Sequence, residues 1–275
     1  GYTFAGWTEA IPDTMPARDL AITALWTPVT VTLTLNCNYG ETPETETRNA
    51  TFDAELGDLP SPERTGYKFD GWFTGETDGT LITAGSKSAF TKATILYAHW
   101  TPNTYALTFS LGYDGATGID PQNVTFDTAV DTLPSPERTG YDFLGWFNGE
   151  QELKAGVVWT TADNATVTAK WEIITYTVTY QDAEGVSNPA TYTVETDDFT
   201  LNNPTKTGYT FLGWSGTGLT GSEMTVTIQK GSTGNRTYTA NWKVNPYTIT
   251  FDTDGGTTVD AITQDYGTAI TAPAN

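Results

Sequence analysis

Short segments in which large side chains alternate with threonine occur four times along the chain. They lie at residues 31–35, 105–109, 176–180 and 247–251. A period of two is typical of a strand with one buried and one solvated face. The pattern therefore predicts four equivalent strands, each with its threonines towards water and its larger residues towards a core.

A second pattern, Thr-Gly-Tyr followed by Phe and then by Gly-Trp, recurs at fixed spacing. It occupies residues 64–72, 138–146 and 206–214, and residues 1–7 repeat it from its glycine onwards. The glycine after threonine suits a turn that needs positive φ, and the glycine before tryptophan suits a bulge or close packing. We interpret these glycines as backbone devices and not as a phosphate-binding loop.

A third pattern, Ala-x-Trp, closes each unit and sets its length. The tryptophans of this pattern are 71 to 74 residues apart, which is the size of a small domain and longer than a solenoid repeat. Only two to four residues separate each Ala-x-Trp from the next strand, too few for a flexible linker. We therefore predict an elongated rod of tandem domains: residues 1–26 (the C-terminal half of a repeat), 27–102, 103–172 and 173–244 (complete repeats), and 245–275 (the N-terminal half of a repeat).

The repeated aromatic residues are the candidate core of each unit. Aromatic residues make up 13% of the chain, and eight of its nine tryptophans fall on the two repeated tryptophan positions. Large aromatic side chains can supply the buried area that so short a domain otherwise lacks. The alternative is a ligand-stacking surface, and the exposure of Tyr67, Tyr141 and Tyr209 distinguishes the two. The predicted core residues are Tyr2, Phe4, Trp7, Trp26, Tyr67, Phe69, Trp72, Trp100, Tyr141, Phe143, Trp146, Trp171, Tyr209, Phe211, Trp214 and Trp242.

Together these motifs resemble the Listeria-Bacteroides repeat, also called the internalin B-repeat, over essentially the whole chain. The resemblance implies a mainly β fold with little helix, of the α+β, β-grasp-like kind. It also implies a bacterial cell-surface or secreted protein, located outside the cell or on its wall. The implied role is a non-enzymatic spacer, stalk or adhesion array, and the alternative is a specific module that binds a host or cell-surface protein or glycan.

The charge and the rare residues narrow the candidate chemistry. Thirty-three acidic residues face thirteen basic ones, and the net charge of −20 argues against a nucleic-acid partner. A single cysteine and a single histidine exclude the usual zinc sites and a disulfide framework. No apolar run is long enough for membrane insertion in this segment, and the sequence begins without an export signal. We expect no catalytic residue, no cofactor and no metal site.

A few polar positions have a second interpretation. The acidic clusters are expected to be solvated loops, with weak calcium binding as the alternative. His99 is expected to point outwards beside Tyr97, and Cys37 to be a small loop residue after the first strand. The acidic clusters lie at 41–46, 197–198 and 252–255.

The two half-repeats are complementary in sequence. Residues 245–275 carry the front of a unit and residues 1–26 carry its back. Each half is expected to leave a sheet edge and an apolar face uncovered. We predict either that the halves pair head to tail between chains, which would give an open filament, or that the chain is part of a longer array.

Overall fold

A computed structural model describes residues 1–273, and it consists of strands, turns and loops. Its twenty strands are β1 Tyr2–Trp7, β2 Ala24–Pro28, β3 Thr30–Asn36, β4 Thr45–Thr51, β5 Tyr67–Phe73, β6 Leu81–Ile82, β7 Thr94–Pro102, β8 Thr104–Ser110, β9 Ile119–Thr125, β10 Tyr141–Asn148, β11 Gln151–Leu153, β12 Ala165–Ile173, β13 Tyr176–Gln181, β14 Thr191–Tyr192, β15 Phe199–Thr200, β16 Tyr209–Gly216, β17 Thr227–Ile228, β18 Arg236–Val244, β19 Pro246–Ile249 and β20 Ile262–Asp265. The prediction of a mainly β fold is confirmed. No residue of the described part is helical, and the likeness to a β-grasp stays a prediction.

Contacts divide the chain into two compact units. The first is Gly1–Leu133 with Trp146–Thr168, and the second is Pro134–Gly145 with Ala169–Asn275.

The first complete sheet shows how a repeat is built. Its strand order is β4-β3-β7-β5-β6. The central strands β3 and β7, the first and last of the repeat, run parallel, whereas the other neighbours are antiparallel. We call β3–β7 repeat 1. Its core is therefore assembled from strands at both ends of the segment, so a repeat needs all of its length to close.

The next two repeats follow the same plan with differences at the sheet edges. Repeat 2, β8–β12, has the order β11-β10-β12-β8-β9. Repeat 3, β13–β18, has a four-stranded sheet in the order β14-β13-β18-β16 and a separate β15-β17 pair. In both repeats the first and last strands again pair in parallel. The common plan explains why the same motifs recur at nearly constant spacing.

Two hairpins flank the complete repeats. The N-terminal hairpin pairs β1 with β2, which correspond to the third and fifth strands of a repeat. The C-terminal hairpin pairs β19 with β20, which correspond to its first and second strands. Each hairpin therefore holds one half of a repeat's sheet.

The alternation in the first strand of each repeat produces the core. Leu33 and Leu35 in β3 have no exposed surface, whereas Thr32 before them is exposed and Thr34 between them is half-buried. In repeat 1 these leucines pack with Trp72, and in repeat 3 Val178 packs with Trp214. Burial of such apolar side chains is the main stabilising term of each repeat.

The aromatic motif divides into a buried tryptophan and half-buried neighbours. Trp72, Trp146 and Trp214, which follow the bulge glycine, are only 2%, 1% and 0% exposed. The indole N–H of Trp72 donates to the carbonyl of Pro60 at 2.7 Å, so its one polar group is satisfied inside the repeat. The other predicted core residues of repeats 1 to 3 are half-buried: Tyr67, Phe69, Trp100, Tyr141, Phe143, Trp171, Tyr209, Phe211 and Trp242.

The N-terminal hairpin departs from the expectation that its aromatic residues are core, and agrees with the expectation that a half-repeat leaves an apolar face uncovered. Its exposed fractions are 45% for Tyr2, 50% for Phe4, 46% for Trp7 and 58% for Trp26. The rings contact one another, with Phe4 5.2 Å from Trp7 and 5.6 Å from Trp26 between centroids. In the described structure no first and second strands cover this two-stranded sheet, so its inward face stays in contact with water.

Candidate functional site

The junctions between successive repeats are the feature that recurs most faithfully along the chain. One residue separates the strands at three of them, namely Val29, Asn103 and Asn245, and two residues, 174–175, separate them at the other. We number these junctions 1 to 4, with junction 3 at residues 174–175. The connections are thus as short as the sequence indicated.

At every junction the linking residue is bonded to the preceding repeat through its backbone. Its N–H donates to the carbonyl of the glycine in the Gly-Tyr motif: Val29 to Gly1 at 2.8 Å, Asn103 to Gly66 at 2.9 Å, Ile174 to Gly140 at 2.9 Å and Asn245 to Gly208 at 2.8 Å. At junctions 1, 2 and 4 the carbonyl of the same residue accepts an N–H from the following repeat, from Phe52, Phe126 and Tyr266. The linking residue is therefore held on both sides.

A side chain of the following repeat packs directly on the motif glycine. At junction 2 a Cβ built on Gly66 would lie 2.4 Å from the ring of Phe126. The counterparts are Phe52 on Gly1 at 2.3 Å, Val194 on Gly140 at 2.2 Å and Tyr266 on Gly208 at 2.2 Å. Gly66 also has a φ of +79°, which favours glycine for a second reason. Any other residue here meets both a strained backbone and the next repeat.

The tyrosine after this glycine forms a ring contact and a hydrogen bond across the junction. Tyr67 meets Phe126 edge-on, with ring centroids 5.5 Å apart, and its hydroxyl donates to the carboxylate of Asp127 at 2.6 Å. Tyr2 donates to Asp53 at 3.2 Å, and Tyr141 donates to Glu195. These three tyrosine–carboxylate bonds tie a repeat to its successor independently of the backbone.

The pKa values of these tyrosines reflect the carboxylates. For Tyr67 the hydrogen bond to Asp127 is the largest cause of a raised pKa, followed by burial, with Arg64 acting in the opposite direction. Tyr141 likewise has a raised pKa, chiefly through its bond to Glu195. The neutral phenol is the form that donates, so the contact is complete at neutral pH.

A cation lies over the ring of each of three junction tyrosines. The guanidinium carbon of Arg64 is 3.5 Å from the centre of the Tyr67 ring, and that of Arg138 is 3.6 Å from the Tyr141 ring. Lys206 occupies the same place over Tyr209, with its Nζ at 4.6 Å. Cation–π contacts of this kind stabilise the ring position modestly at an exposed site. They also explain why a basic residue opens the Thr-Gly-Tyr motif.

The sequence motifs did not identify the residues of the following repeat that contact the Gly-Tyr motif. Phe126 and Asp127 stand in a Thr-Phe-Asp sequence that repeats Thr51-Phe52-Asp53. That repetition was a usable signal. In both places the chain makes a tight turn, in which the N–H of Ala54 bonds the carbonyl of Thr51 and that of Thr128 bonds Thr125. The turn presents the ring and the carboxylate together.

Two of the three predicted acidic clusters, at 197–198 and 252–255, make local contacts. Asp197 accepts from the side chain of Lys230 at 2.9 Å, and Asp198 accepts from its backbone N–H at 2.7 Å. Asp252 accepts the backbone N–H of Asp254 in a turn, at 3.1 Å. Within residues 1–273 no group of three or more acidic, cysteine or histidine side chains is arranged to hold a metal ion.

His99 and Cys37 both have structural surroundings. His99 is half-buried, and its ring stacks on Phe73 with the ring centroids 3.9 Å apart. Its Nε2 lies 2.9 Å from the carbonyl oxygen of Gly75. The expectation that His99 points outwards is therefore wrong. Cys37 directly follows β3 and is buried, 8% exposed. Burial, then Glu44 and Glu46, raise the pKa of its thiol, which favours the protonated form.

The comparisons with known proteins agree with the repeat architecture. The family model of the Listeria-Bacteroides repeat domain matches residues 31–99, 105–170, 176–241 and 247–275. Separately, the described residues contain no helix that could span a membrane.

Three curated proteins are similar to this chain. A protein of Evansella cellulosilytica named as a Gly-rich membrane protein is 26% identical over 99% of the chain and 34% of its own length. A second, named as a membrane protein of the same organism, is 31% identical over 65% of the chain and 27% of its own length. Internalin H of Listeria monocytogenes is 28% identical over 60% of the chain and 29% of its own length. The chain thus spans about a third or less of these relatives. With four matches of one family model along most of its length, the chain belongs to the Listeria-Bacteroides repeat family.

Proposed function

We propose that this chain is a non-enzymatic repeat segment of a bacterial surface or secreted protein, and that its role outside the cell is that of a spacer. The observation that carries the proposal is the junction, where the same backbone bond and the same side-chain packing on glycine occur four times. A spacer needs a fixed relation between successive domains more than it needs a ligand site. The similarity to Internalin H supports a surface role.

The aromatic residues support a spacer over a ligand-stacking surface. Tyr67, Tyr141 and Tyr209 are half-buried, and each contacts the following repeat. A ring engaged in this way has little face left for a sugar or a peptide. The net charge of −20 supports a role in which neighbouring copies repel one another and stay in solution.

A matched pair of triple variants tests the spacer. Gly66→Ala, Gly140→Ala and Gly208→Ala together place a Cβ against the following repeat at junctions 2, 3 and 4. In the control, Gly57→Ala, Gly156→Ala and Gly218→Ala impose the same positive-φ strain at positions where nothing lies within 4 Å of a Cβ. We expect small-angle X-ray scattering to give the same maximum dimension for the wild type and the control, and a changed one for the junction variant. Identical profiles for all three would overturn the spacer proposal.

Adhesion to a host or cell-surface protein or glycan is the alternative within the same surface role. A glycan array and a binding assay on immobilised surface proteins, both with the wild-type chain, address it directly. Saturable binding that the junction variant retains in full would favour adhesion, because the spacer role depends on the junctions and an adhesive surface on one repeat does not.

Head-to-tail self-association is a second candidate, and it is favoured by two uncovered faces. On the C-terminal hairpin Ile249 and Ile270 are 38% and 58% exposed and line a groove of about 440 Å³. Their counterparts in repeat 2, Leu107 and Val130, are 0% and 3% exposed. In a complete repeat the strands that continue this sheet, and that carry the tryptophan packed in its core, correspond to β1 and β2 of the N-terminal hairpin.

The occupant that fits the groove is therefore the N-terminal hairpin of a second copy. Light scattering across a concentration series tests this candidate, and we expect an average mass that rises with concentration. Trp7→Ser on the N-terminal hairpin should suppress the rise, whereas Met15→Ser, at a 95% exposed loop position, should not. A single monomeric mass at every concentration contradicts self-association and leaves the spacer proposal untouched.

A further inference from the structure

All four junctions share the backbone bond to glycine and the side chain packed on it, but junction 4 differs from the others at the position after the packing residue. Asp53, Asp127 and Glu195 follow the packing residue at junctions 1, 2 and 3, and each accepts a tyrosine hydroxyl. At junction 4 the residue in that position is Gly267, which has no side chain to accept one. We infer that junction 4 is a hinge between repeat 3 and the C-terminal hairpin, while junctions 2 and 3 are latched by their tyrosine–carboxylate bonds.

The turn at junction 4 keeps its backbone form without the acceptor. The N–H of Thr268 bonds the carbonyl of Asp265 at 3.1 Å, as Thr128 bonds Thr125 at junction 2. Gly267 has a φ of +78°, close to the +57° of Asp127. Glycine meets the conformational need of the turn, and only the carboxylate is lost.

The other side-chain contacts of junction 4 are also longer. The rings of Tyr209 and Tyr266 are 6.2 Å apart, against 5.5 Å for Tyr67 and Phe126. The cation over Tyr209 is a lysine at 4.6 Å, where junction 2 has the planar guanidinium of Arg64 at 3.5 Å. A flexible ammonium orients a ring less firmly than a stacked guanidinium.

What junction 4 retains is the backbone hold on Asn245. Its N–H donates to Gly208 at 2.8 Å, its carbonyl accepts from Tyr266 at 2.9 Å, and its side-chain oxygen accepts from Thr210 at 2.6 Å. These bonds fix a single residue. The C-terminal hairpin can therefore rotate about that residue, because junction 4 lacks the tyrosine–carboxylate bond that opposes such rotation at junctions 2 and 3. The inference deepens the spacer proposal, because it says where along the chain the spacing is adjustable.

Pairs of spin labels can compare the two kinds of junction in the intact chain. Cys37→Ser removes the single native thiol. Labels at 34 and 108 then span junction 2, and labels at 179 and 250 span junction 4, at equivalent positions of successive first strands. The loss of one hydrogen bond changes the ratio of two conformations about fivefold. In the double electron–electron resonance distance distribution we therefore expect the fraction of molecules outside the main peak to be about fivefold larger across junction 4 than across junction 2.

Restoring the acceptor is the decisive variant. Gly267→Asp should narrow the 179–250 distribution to the width seen at junction 2, since Asp127 adopts the same left-handed turn position. Adding Tyr209→Phe removes the donor and should return the broad distribution. At junction 2, Asp127→Gly should broaden the 34–108 distribution.

Three results would overturn the hinge: equal widths at both junctions in the wild type, no narrowing with Gly267→Asp, or narrowing that survives Tyr209→Phe. Circular dichroism of each variant checks that the β content is intact. The hinge and the spacer proposals can be contradicted independently. The widths of the distance distributions test the hinge at junction 4, whereas the glycine triple variants test the spacer role of the whole array.

Discussion

The N-terminal hairpin and repeat 1 carry the same motif in two different settings. In both, a glycine carbonyl accepts the N–H of the linking residue, and a tyrosine meets a phenylalanine of the next repeat at an interplanar angle of 75°. The tryptophan at the end of the motif differs, because Trp7 is 46% exposed and Trp72 is 2% exposed. The motif therefore has two functions: its first residues face the next repeat, and its last residue faces the core of its own repeat.

This difference shows that the junction does not need a complete repeat. Two strands suffice to present Gly1 and Tyr2 to Phe52 in nearly the geometry of Gly66 and Tyr67. Burial of the tryptophan needs the first and second strands as well. Junction and core are thus separable parts of one motif, and each can be perturbed without the other.

The largest expected effect separates the two tryptophans. Trp72→Ala should destabilise repeat 1 by about 3–5 kcal/mol, because it leaves a large cavity in a packed core. Trp7→Ala should cost less than about 1 kcal/mol, because its ring is half in water. Hydrogen exchange read by mass spectrometry, on peptides from residues 30–102 and 1–28, measures the two local stabilities. Comparable costs at both positions would contradict the division of the motif into a junction part and a core part.

A glycine pair sharpens the junction side of the comparison. Gly66→Ala should destabilise the contact with repeat 2 by about 2–4 kcal/mol, since a left-handed Cβ costs roughly 1–2 kcal/mol and overpacking adds to it. Gly57→Ala has a similar positive φ but nothing within 4 Å of its Cβ, and should show only the first cost. Hydrogen exchange at the amides of Asn103 and Phe126 reports the contact. Equal protection in both variants would mean that the ring of Phe126 moves aside freely.

A smaller effect is expected from the hydroxyl groups. Tyr67→Phe should weaken junction 2 by about 1 kcal/mol, the usual net value of one hydrogen bond. Tyr2→Phe should have less effect, because its bond to Asp53 is longer, at 3.2 Å, and its ring is 45% exposed. Hydrogen-exchange protection factors of the linking-residue amides, Asn103 at junction 2 and Val29 at junction 1, measure the two losses of stability. A larger loss at Tyr2 than at Tyr67 would reverse the comparison.

The pH dependence of junction 2 is the finest test. The pKa of Tyr67 is raised in the folded chain by its bond to Asp127 and by burial, while Arg64 opposes the shift. A group with a raised folded pKa stabilises fully below its unfolded pKa, about 10 for tyrosine, and this stabilisation is lost as the pH rises through the folded pKa. The stability difference between wild type and Tyr67→Phe should therefore be constant at neutral pH and vanish in strong alkali. A difference that disappears already near neutrality would contradict the assignment.

Much of the fold follows from local sequence patterns, because those patterns report local physics. Threonine alternation predicted the first strand of each repeat, and β3 and β8 span the predicted segments. The two glycines of the motif were expected at a positive-φ turn and at a bulge. Gly66 has a φ of +79°, and the register of β5 shifts between Phe69 and Gly71.

Two features could not be predicted in this way. Alternation tells which face of a strand is apolar but not whether another strand covers it, so the motif by itself does not distinguish Trp7 from Trp72, and only the assignment of residues 1–26 to a half-repeat indicated an uncovered face. The second reason for the glycine, the ring of Phe126 against Gly66, joins residues 60 positions apart whose own patterns are unrelated. Each side of the contact is a repeated motif, Gly-Tyr on one and Thr-Phe-Asp on the other, but the sequence does not indicate that the two motifs meet.

The single linking residue has a consequence for how such an array can change over generations. The N–H of Asn103 bonds Gly66 and its carbonyl bonds Phe126, so one inserted residue would separate these two bonds and displace the turn that contacts Tyr67. We therefore expect small insertions and deletions to be rarer at the junctions than in the exposed loops. Duplication or loss of a whole repeat leaves each junction intact, so gene copies should differ by entire modules.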